Sequence, residues 1–493
     1  MADLSSSEQP KRLQSKNLLV NYISLLGGTV LSKGLGLLIV LLLTRALGVE
    51  DFGRYSLAFS YWALLNTLVD LGGSHIAGRE IAKTPARPRA TLESIIYLRL
   101  LGCALFLPVG FLLGQGLGLS LPLIVVTYAG LFAGFEAYYD LYFSASMQLD
   151  KTATTRFAAS IVNLLLIGSA VALHAGVLVI VSIALLNPLV KLALDYRLSP
   201  MQLRVNLPDW GHVRRIFKDG WPLWLAGIQY IILARVDTML LQVLSPTGHH
   251  DLGIYSAAFR VSEIMALFIN SLCPALLPLL VQRAHDPDRM TFLAQTGIRL
   301  ILTVLIAMSL LIFWYAPWIT RMYGHGYAEA AGCIRILIWS QAFAAVNALC
   351  YYLLLVYNAQ GKRPIIWANV VLTLLNIGLN FMLIPMLKAE GASWATVITE
   401  VAILITMLTF VRRYTPLRLG KDILCLEALA LGCSLAAMNL GIGAGVVSTI
   451  GFVGLVFGLK LLQPHQLKAL ALERLKHHTS PEGLSSESPE SHP

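Results

Sequence analysis

"EDFGRYSLAFS" (Glu50–Ser60) and "HDLGIYSAAFR" (His250–Arg260) are two passages of one 493-residue chain, and their relation decides its architecture. Asp51, Gly53, Tyr55, Ser56, Ala58 and Phe59 return as Asp251, Gly253, Tyr255, Ser256, Ala258 and Phe259, each 200 residues later. Six identities in nine positions at one constant offset mark an internal duplication. What has to be explained is why a unit of this size is made twice.

Composition supplies the setting. The chain is 56% hydrophobic and 13% charged, where a soluble domain carries about 25% charged residues, and its mean hydropathy is +0.69. So much apolar sequence belongs in lipid. Crossing a bilayer takes about 20 mostly apolar residues per helix. The apolar runs predict fourteen spans, near 18–44, 55–77, 92–113, 119–143, 157–173, 176–194, 219–243, 253–281, 297–319, 332–357, 365–387, 391–411, 423–441 and 444–462. The expected fold is therefore all-α and polytopic. Two hundred residues amount to six spans and their loops, and six is even, so both copies enter the membrane from the same face. That is a parallel repeat with a pseudo-two-fold axis along the membrane normal. It predicts a cytoplasmic segment 1–17, six-helix lobes 18–218 and 219–422, an added helix pair 423–463 and a cytoplasmic polar tail 464–493. Two similar lobes that rock about a cleft are the architecture of a transporter.

The basic residues orient the chain. Lys and Arg favour short cytoplasmic loops. With the N-terminus inside, inner segments hold 26 of them, including Arg79, Lys83, Arg87 and Arg89, and Arg214, Arg215 and Lys218. Outer segments hold 4: Arg45, Arg54, Arg321 and Lys388. Both termini are thus expected in the cytoplasm. The net charge of +10 follows from inner loops facing anionic lipid and does not call for nucleic acid. The first apolar run, about 26 residues long, exceeds the 7–15-residue core of a signal peptide and reads as a span. Cys103, Cys273, Cys333, Cys350, Cys425 and Cys433 lie in or beside apolar segments without paired spacing, as buried small hydrophobes do.

Two stretches carry a family resemblance. "LLTRALGVEDFGRYSLA" (Leu42–Ala58) and "NAQGKRPIIWANVVLTLLNIGLNFMLIPMLKAEGASWATVITE" (Asn358–Glu400) resemble the Wzx-type polysaccharide flippases of the multidrug/oligosaccharidyl-lipid/polysaccharide exporter superfamily. In the second stretch Asn358, Gly361 and Lys362 close one helix; Asn376, Asn380, Ile384 and Pro385 mark the next; Gly391, Ala392, Ala395 and Thr396 open the third. The charged turn Lys388–Glu390 departs from the small residues usual in the family. The resemblance implies a flippase that carries undecaprenyl-diphosphate-linked oligosaccharide across the bacterial inner membrane for O-antigen or exopolysaccharide assembly. The implied partners are the polyprenyl-diphosphate-linked glycan, membrane lipids and other polysaccharide-assembly proteins, with no cofactor and no enzymatic activity.

Such a substrate needs cations for its diphosphate. Charges inside spans are costly and mark functional candidates. Lys33, Arg235 and Arg260 fall on helices 1, 7 and 8, at depths of roughly 16, 12 and 10 Å from the outer face at 1.5 Å per residue. They are the candidate substrate-binding set, Arg through its planar fork and Lys as a point charge. The alternative for Arg260 is local neutralisation by Glu263 at i,i+3. Asp237, two residues from Arg235, is left to pair across helices. Glu136 and Asp140 lie at i,i+4 on one face of helix 4. They suit either a proton relay or a gate held by Lys and Arg. Asp70, Asp237 and Glu263 complete the candidate coupling or gating residues. Tyr138, Tyr139, Tyr142 and Phe143 read as an interfacial belt, with a sugar-stacking surface as the alternative. "GHHD" (Gly248–Asp251) reads as an outer turn rather than a metal site.

Rival classes are weighed on the same residues. A multidrug-exporter-like cation antiporter of the superfamily needs an acidic cleft, against which the three cations argue. A membrane glycosyltransferase or polymerase needs a large outer domain, and no P-loop, metal or nucleophile constellation appears in the sequence. A non-transporting membrane scaffold is separated from these only by a flux measurement.

Overall fold

Long helices follow from the apolar runs, and single residues set their breaks. The computed structural model describes residues 8–83, 88–146, 148–199, 209–282, 286–357, 362–415, 420–437 and 443–463. The helices are α1 (Glu8–Val69), α2 (Gly73–Lys83), α3 (Pro88–Gly116), α4 (Leu121–Ala133), α5 (Glu136–Ala145), α6 (Leu149–Ala172) and α7 (Val177–Leu198). They continue with α8 (Trp210–Leu244), α9 (Gly248–Gln282), α10 (Pro287–Tyr323), α11 (Ala330–Tyr357), α12 (Lys362–Tyr414), α13 (Gly420–Ala436) and α14 (Ala444–Gly458). No strand occurs among the described residues.

At 62 residues α1 would run roughly 93 Å unbroken, three times the apolar core of a bilayer. It is two spans joined at Gly48, whose φ of 70° and ψ of −176° only glycine adopts readily. α12 is likewise two spans joined at Lys388 (φ 52°). The Lys388–Glu390 turn thus reduces to one non-helical residue, and the outer segment carrying Arg54 is helical. The second span, expected at 55–77, ends earlier. Positive φ at Leu71 and Gly72 turns the chain after Val69 into the short α2. Among the described residues nine helices are long and apolar enough to cross a membrane, and Cys425–Ala436 and Ala444–Gly458 are shorter apolar helices. Large apolar side chains stay uncovered by protein, among them Leu112, Leu165, Leu173 and Ile405. In water such surface would be an aggregation hazard; in lipid it is the outer wall. No disulfide joins the six cysteines among the described residues, and five of them are buried. The predicted polar tail 464–493 lies outside the described residues, as do the inner-loop cations Arg87, Arg204, Arg283 and Arg418.

The duplicated motif turns out to be a contact. A Cβ on Gly53 would run into the carbonyl of His249 and lie 3.1 Å from the Gly253 nitrogen. A Cβ on Gly253 would run into the carbonyl of Val49 and lie 2.9 Å from its Cγ1. Residue 53 meets 249 and residue 253 meets 49, the reciprocity of a two-fold interface. The motif is repeated because each copy packs on the other, at glycines where no side chain fits.

The chain divides into two compact units, one drawn from Met1–Ala257, Thr320–Glu329 and Asn376–Ala392, the other from Ala258–Ile319, Ala330–Leu375 and Ser393–Pro493. In the first, Leu71, Ile76, Leu92, Leu98, Tyr138 and Ile216 form a buried core. In the second, Met265, Leu302, Leu305, Ile338, Leu349 and Phe452 belong to a larger one.

Candidate functional site

Three polar groupings stand out in these apolar helices. The first contains the expected acids of helix 4. Glu136 and Asp140 share a face of α5 and both meet Lys191 of α7, whose Nζ is 2.6 Å from Glu136 Oε2 and 2.8 Å from Asp140 Oδ1. The same ammonium lies 2.8 Å from Asp195 Oδ2, one turn along α7. Arg156 of α6 adds a contact of 3.1 Å to Asp140 Oδ2. Lys191 and Asp195 are buried, and Glu136 and Asp140 are mostly so. Donor oxygens of Glu136, Asp140 and Asp195 come within 4.8 Å of one another, as around a metal ion, but the ammonium fills that position. Lys191 therefore ties α5 to α7, and Arg156 ties α6 to α5. Sequence reasoning did not single out Lys191 and Asp195, although a Lys–Asp pair at i,i+4 in the apolar run "NPLVKLALDY" carries the signal.

The second grouping surrounds Asp237 on α8, which is buried. Tyr255 Oη of the duplicated motif donates to Asp237 Oδ2 at 3.0 Å. Asn380 Nδ2 on α12 donates to Asp237 Oδ1 at 2.7 Å and to the Asn376 carbonyl at 2.9 Å. Asn380 Oδ1 is buried with no hydrogen-bond partner, leaving an amide oxygen beside a carboxylate. That oxygen set suits a proton or a small hard cation. The site exists once, because the position 200 residues before Asp237 is Leu37.

The third grouping lines a cavity of about 330 Å³ that includes Asp70, Arg99, Glu136 and Tyr138. Arg99 on α3 is a buried cation, and sequence reasoning passed over it. Its Nη2 donates to Asn66 Oδ1 at 2.5 Å and to the Leu131 carbonyl at 2.8 Å. Asp70 Oδ2 accepts from Ser74 Oγ at 2.7 Å and so ties the turn into α2.

The other candidates have distinct settings. Lys33 is exposed on the first half of α1 and Arg235 is half-buried on α8. Arg260 on α9, in the second unit, has its Nη1 2.8 Å from Glu263 Oε2, the i,i+3 pair its spacing allows. The aromatic run is not a surface belt: Tyr138, Tyr139 and Phe143 are fully buried, because the α4–α5 bend turns them into protein rather than lipid. At the outer turn Asp251 accepts from the Ser245 and Thr247 hydroxyls. Glu329 joins His250 and Asp251 there, with donor atoms within 4.8 Å of one another.

Solved structures share this architecture. The fold is similar to lipid II flippase MurJ in its inward closed conformation, with a TM-score of 0.70 and 13% identity over 89% of this chain and 99% of that one. It is similar to an inward-facing multidrug resistance MATE family transporter of the MOP superfamily, with a TM-score of 0.62 and 16% identity over 78% and 94%. It is also similar to the MATE transporter ClbM in complex with Rb+, at 0.53 and 14% over 82% and 95%. The class defined by the fold is that of these multi-pass, all-helical membrane proteins. Residues 222–382 match the MatE family, and residues 18–283, more than half of the chain, match the family of polysaccharide biosynthesis proteins. The chain belongs to the polysaccharide biosynthesis protein family. No curated protein matches it.

Proposed function

We propose that this protein is a flippase that moves a polyprenyl-diphosphate-linked oligosaccharide from the cytoplasmic to the outer leaflet of the bacterial inner membrane, by alternating access. The product serves cell-surface polysaccharide such as O-antigen or exopolysaccharide. The observation that carries this reading is the family match over residues 18–283 on a fold shared with a lipid II flippase. The two lobes, 18–218 and 219–422, rock in the cycle, with both termini in the cytoplasm. Lys33, Arg235 and Arg260 hold the diphosphate, and Asp237 is the coupling group, since its buried carboxylate gathers Tyr255 and Asn380 from distant helices. Cation export of the MATE kind shares the fold but needs no cations of its own in the transport path.

The test is flux of fluorescent polyprenyl-diphosphate-linked glycan in proteoliposomes, with binding measured in parallel. Arg235→Ala removes a charge-assisted contact worth about 1.5–3 kcal/mol, so affinity falls by about ten- to a hundred-fold. Arg235→Lys recovers part of it, the fork being lost while the charge stays. Asp237→Asn leaves binding intact and stops gradient-driven flux. A well-folded Lys33→Ala, Arg235→Ala double variant that binds the lipid normally removes the diphosphate site, and transport of cationic drugs without glycan flux replaces the reading with the exporter.

A further inference from the structure

The cavity beside Arg99 is lined by residues whose buried donors are incompletely satisfied. Trp62 Nε1 is buried and has no hydrogen-bond partner, Arg99 Nε and Tyr138 Oη are buried with none beyond each other's side chain, and all three residues line the cavity. Arg99 is 3% exposed and Tyr138 1%. Buried polar groups are nearly always paired, and leaving one unpaired costs free energy, so three around one space call for a ligand rich in acceptors. The space itself is kept open by glycine. A Cβ on Gly134 would collide with the Arg99 guanidinium, and one on Gly227 would come within 2.9 Å of His75 Nε2. The guanidinium is also held over the Phe135 ring at 5.6 Å and makes no ion pair among the described residues.

The remaining lining selects the ligand class. Carboxylates of Asp70 and Glu136 face the same space, which disfavours a free phosphate or another small anion despite Arg99. The same carboxylates are acceptors for hydroxyl hydrogens. Trp62, Tyr138 and the mostly exposed Tyr230 supply aromatic surface. A pyranose ring meets all three requirements: ring and hydroxyl oxygens for the orphan donors, hydroxyl hydrogens for the carboxylates, and an apolar C–H face for the rings. About 330 Å³ lies at the small end of ligand sites, which run roughly 300–1,000 Å³. That holds one or two sugars and not a long oligosaccharide. We propose that this cavity, set among α1, α2, α3, the α4–α5 bend, α7 and α8, is a subsite for a sugar unit of the transported glycan. The assignment rests on the flippase reading above and adds where the head group is read.

Tyr138→Phe tests it, because the hydroxyl it removes has no partner in the protein beyond the Arg99 side chain, which keeps its bonds to Asn66 and the Leu131 carbonyl. A structural hydroxyl of that kind is lost without harm, so the thermal midpoint stays level or rises. Binding of the full-length protein in nanodiscs is measured for bare polyprenyl diphosphate and for the same lipid carrying one hexose or one hexosamine. The expected result is a loss of roughly three- to ten-fold for the sugar-bearing lipids only, with Trp62→Phe acting in the same direction. Equal losses for bare and glycosylated lipid overturn the subsite, as does an unchanged preference for sugar in both variants. Displacement by inorganic phosphate but not by glycosylated lipid assigns the cavity to an anion and also overturns it. Wild-type protein that binds both lipids equally sinks the subsite alone. Protein that binds neither lipid sinks the flippase reading and the subsite with it.

Discussion

Lys191→Met is the sharpest perturbation available to this fold. The ammonium contacts Glu136 at 2.6 Å and Asp140 and Asp195 at 2.8 Å each, so one substitution strips three carboxylates of a shared partner. With all groups ionised, the cluster of three acids, Lys191 and Arg156 carries a net charge of −1; the variant carries −2 in a site where the side chains of Lys191 and Asp195 are only 6% and 0% exposed. Removing one partner of a buried ion pair typically costs about 3–5 kcal/mol, because the charge left behind is uncompensated. Methionine keeps most of the aliphatic stem, so the loss reports charge rather than volume. Arg156→Met is the control. Its side chain is 38% exposed and makes a contact of 3.1 Å to Asp140, and a pair of that kind is worth about 1 kcal/mol or less. The assay is the thermal midpoint of purified protein in detergent, read by tryptophan fluorescence and checked by size-exclusion profile. Lys191→Met should fall well below Arg156→Met, and adding Asp195→Asn should recover part of the difference by returning the cluster to −1. A Lys191→Met protein as stable as wild type would refute the argument that this cation fastens α5 to α7.

Two further expectations concern the repeat and the orientation. Gly253→Leu drives a side chain into the Val49 carbonyl, and overpacking of this kind costs about 1–3 kcal/mol or more; Gly454→Ala, with nothing within 4 Å of its Cβ, serves as the neutral comparison in the same melting assay. Cysteines at Gly116 and Gly248 should react with an impermeant maleimide applied to intact spheroplasts while one at Asp286 stays unlabelled, and the opposite pattern would invert the topology read from the Lys and Arg bias.

Much of this protein is legible along the chain. Apolar runs of about 20 residues announce helices because the bilayer leaves the backbone no other partner than itself. The 200-residue offset between Gly53 and Gly253 announces the duplication. The Asp140 and Glu136 spacing correctly placed both on one helical face, and the Arg260–Glu263 spacing foretold their pair. Other features needed the folded molecule. The ends of the second span follow from backbone turns at Gly48 and Leu71–Gly72, which hydropathy does not register. The burial of Tyr138, Tyr139 and Phe143 was hidden because lipid tails are as apolar as a protein core, so an aromatic run looks alike facing either. Asp237 and Asn380 are 143 residues apart, and Lys191 and Asp140 are 51. Local periodicity reports which residues share a helix face, since 3.6 residues make a turn. Which faces then meet depends on how whole helices pack, and that packing alone brings these charges together.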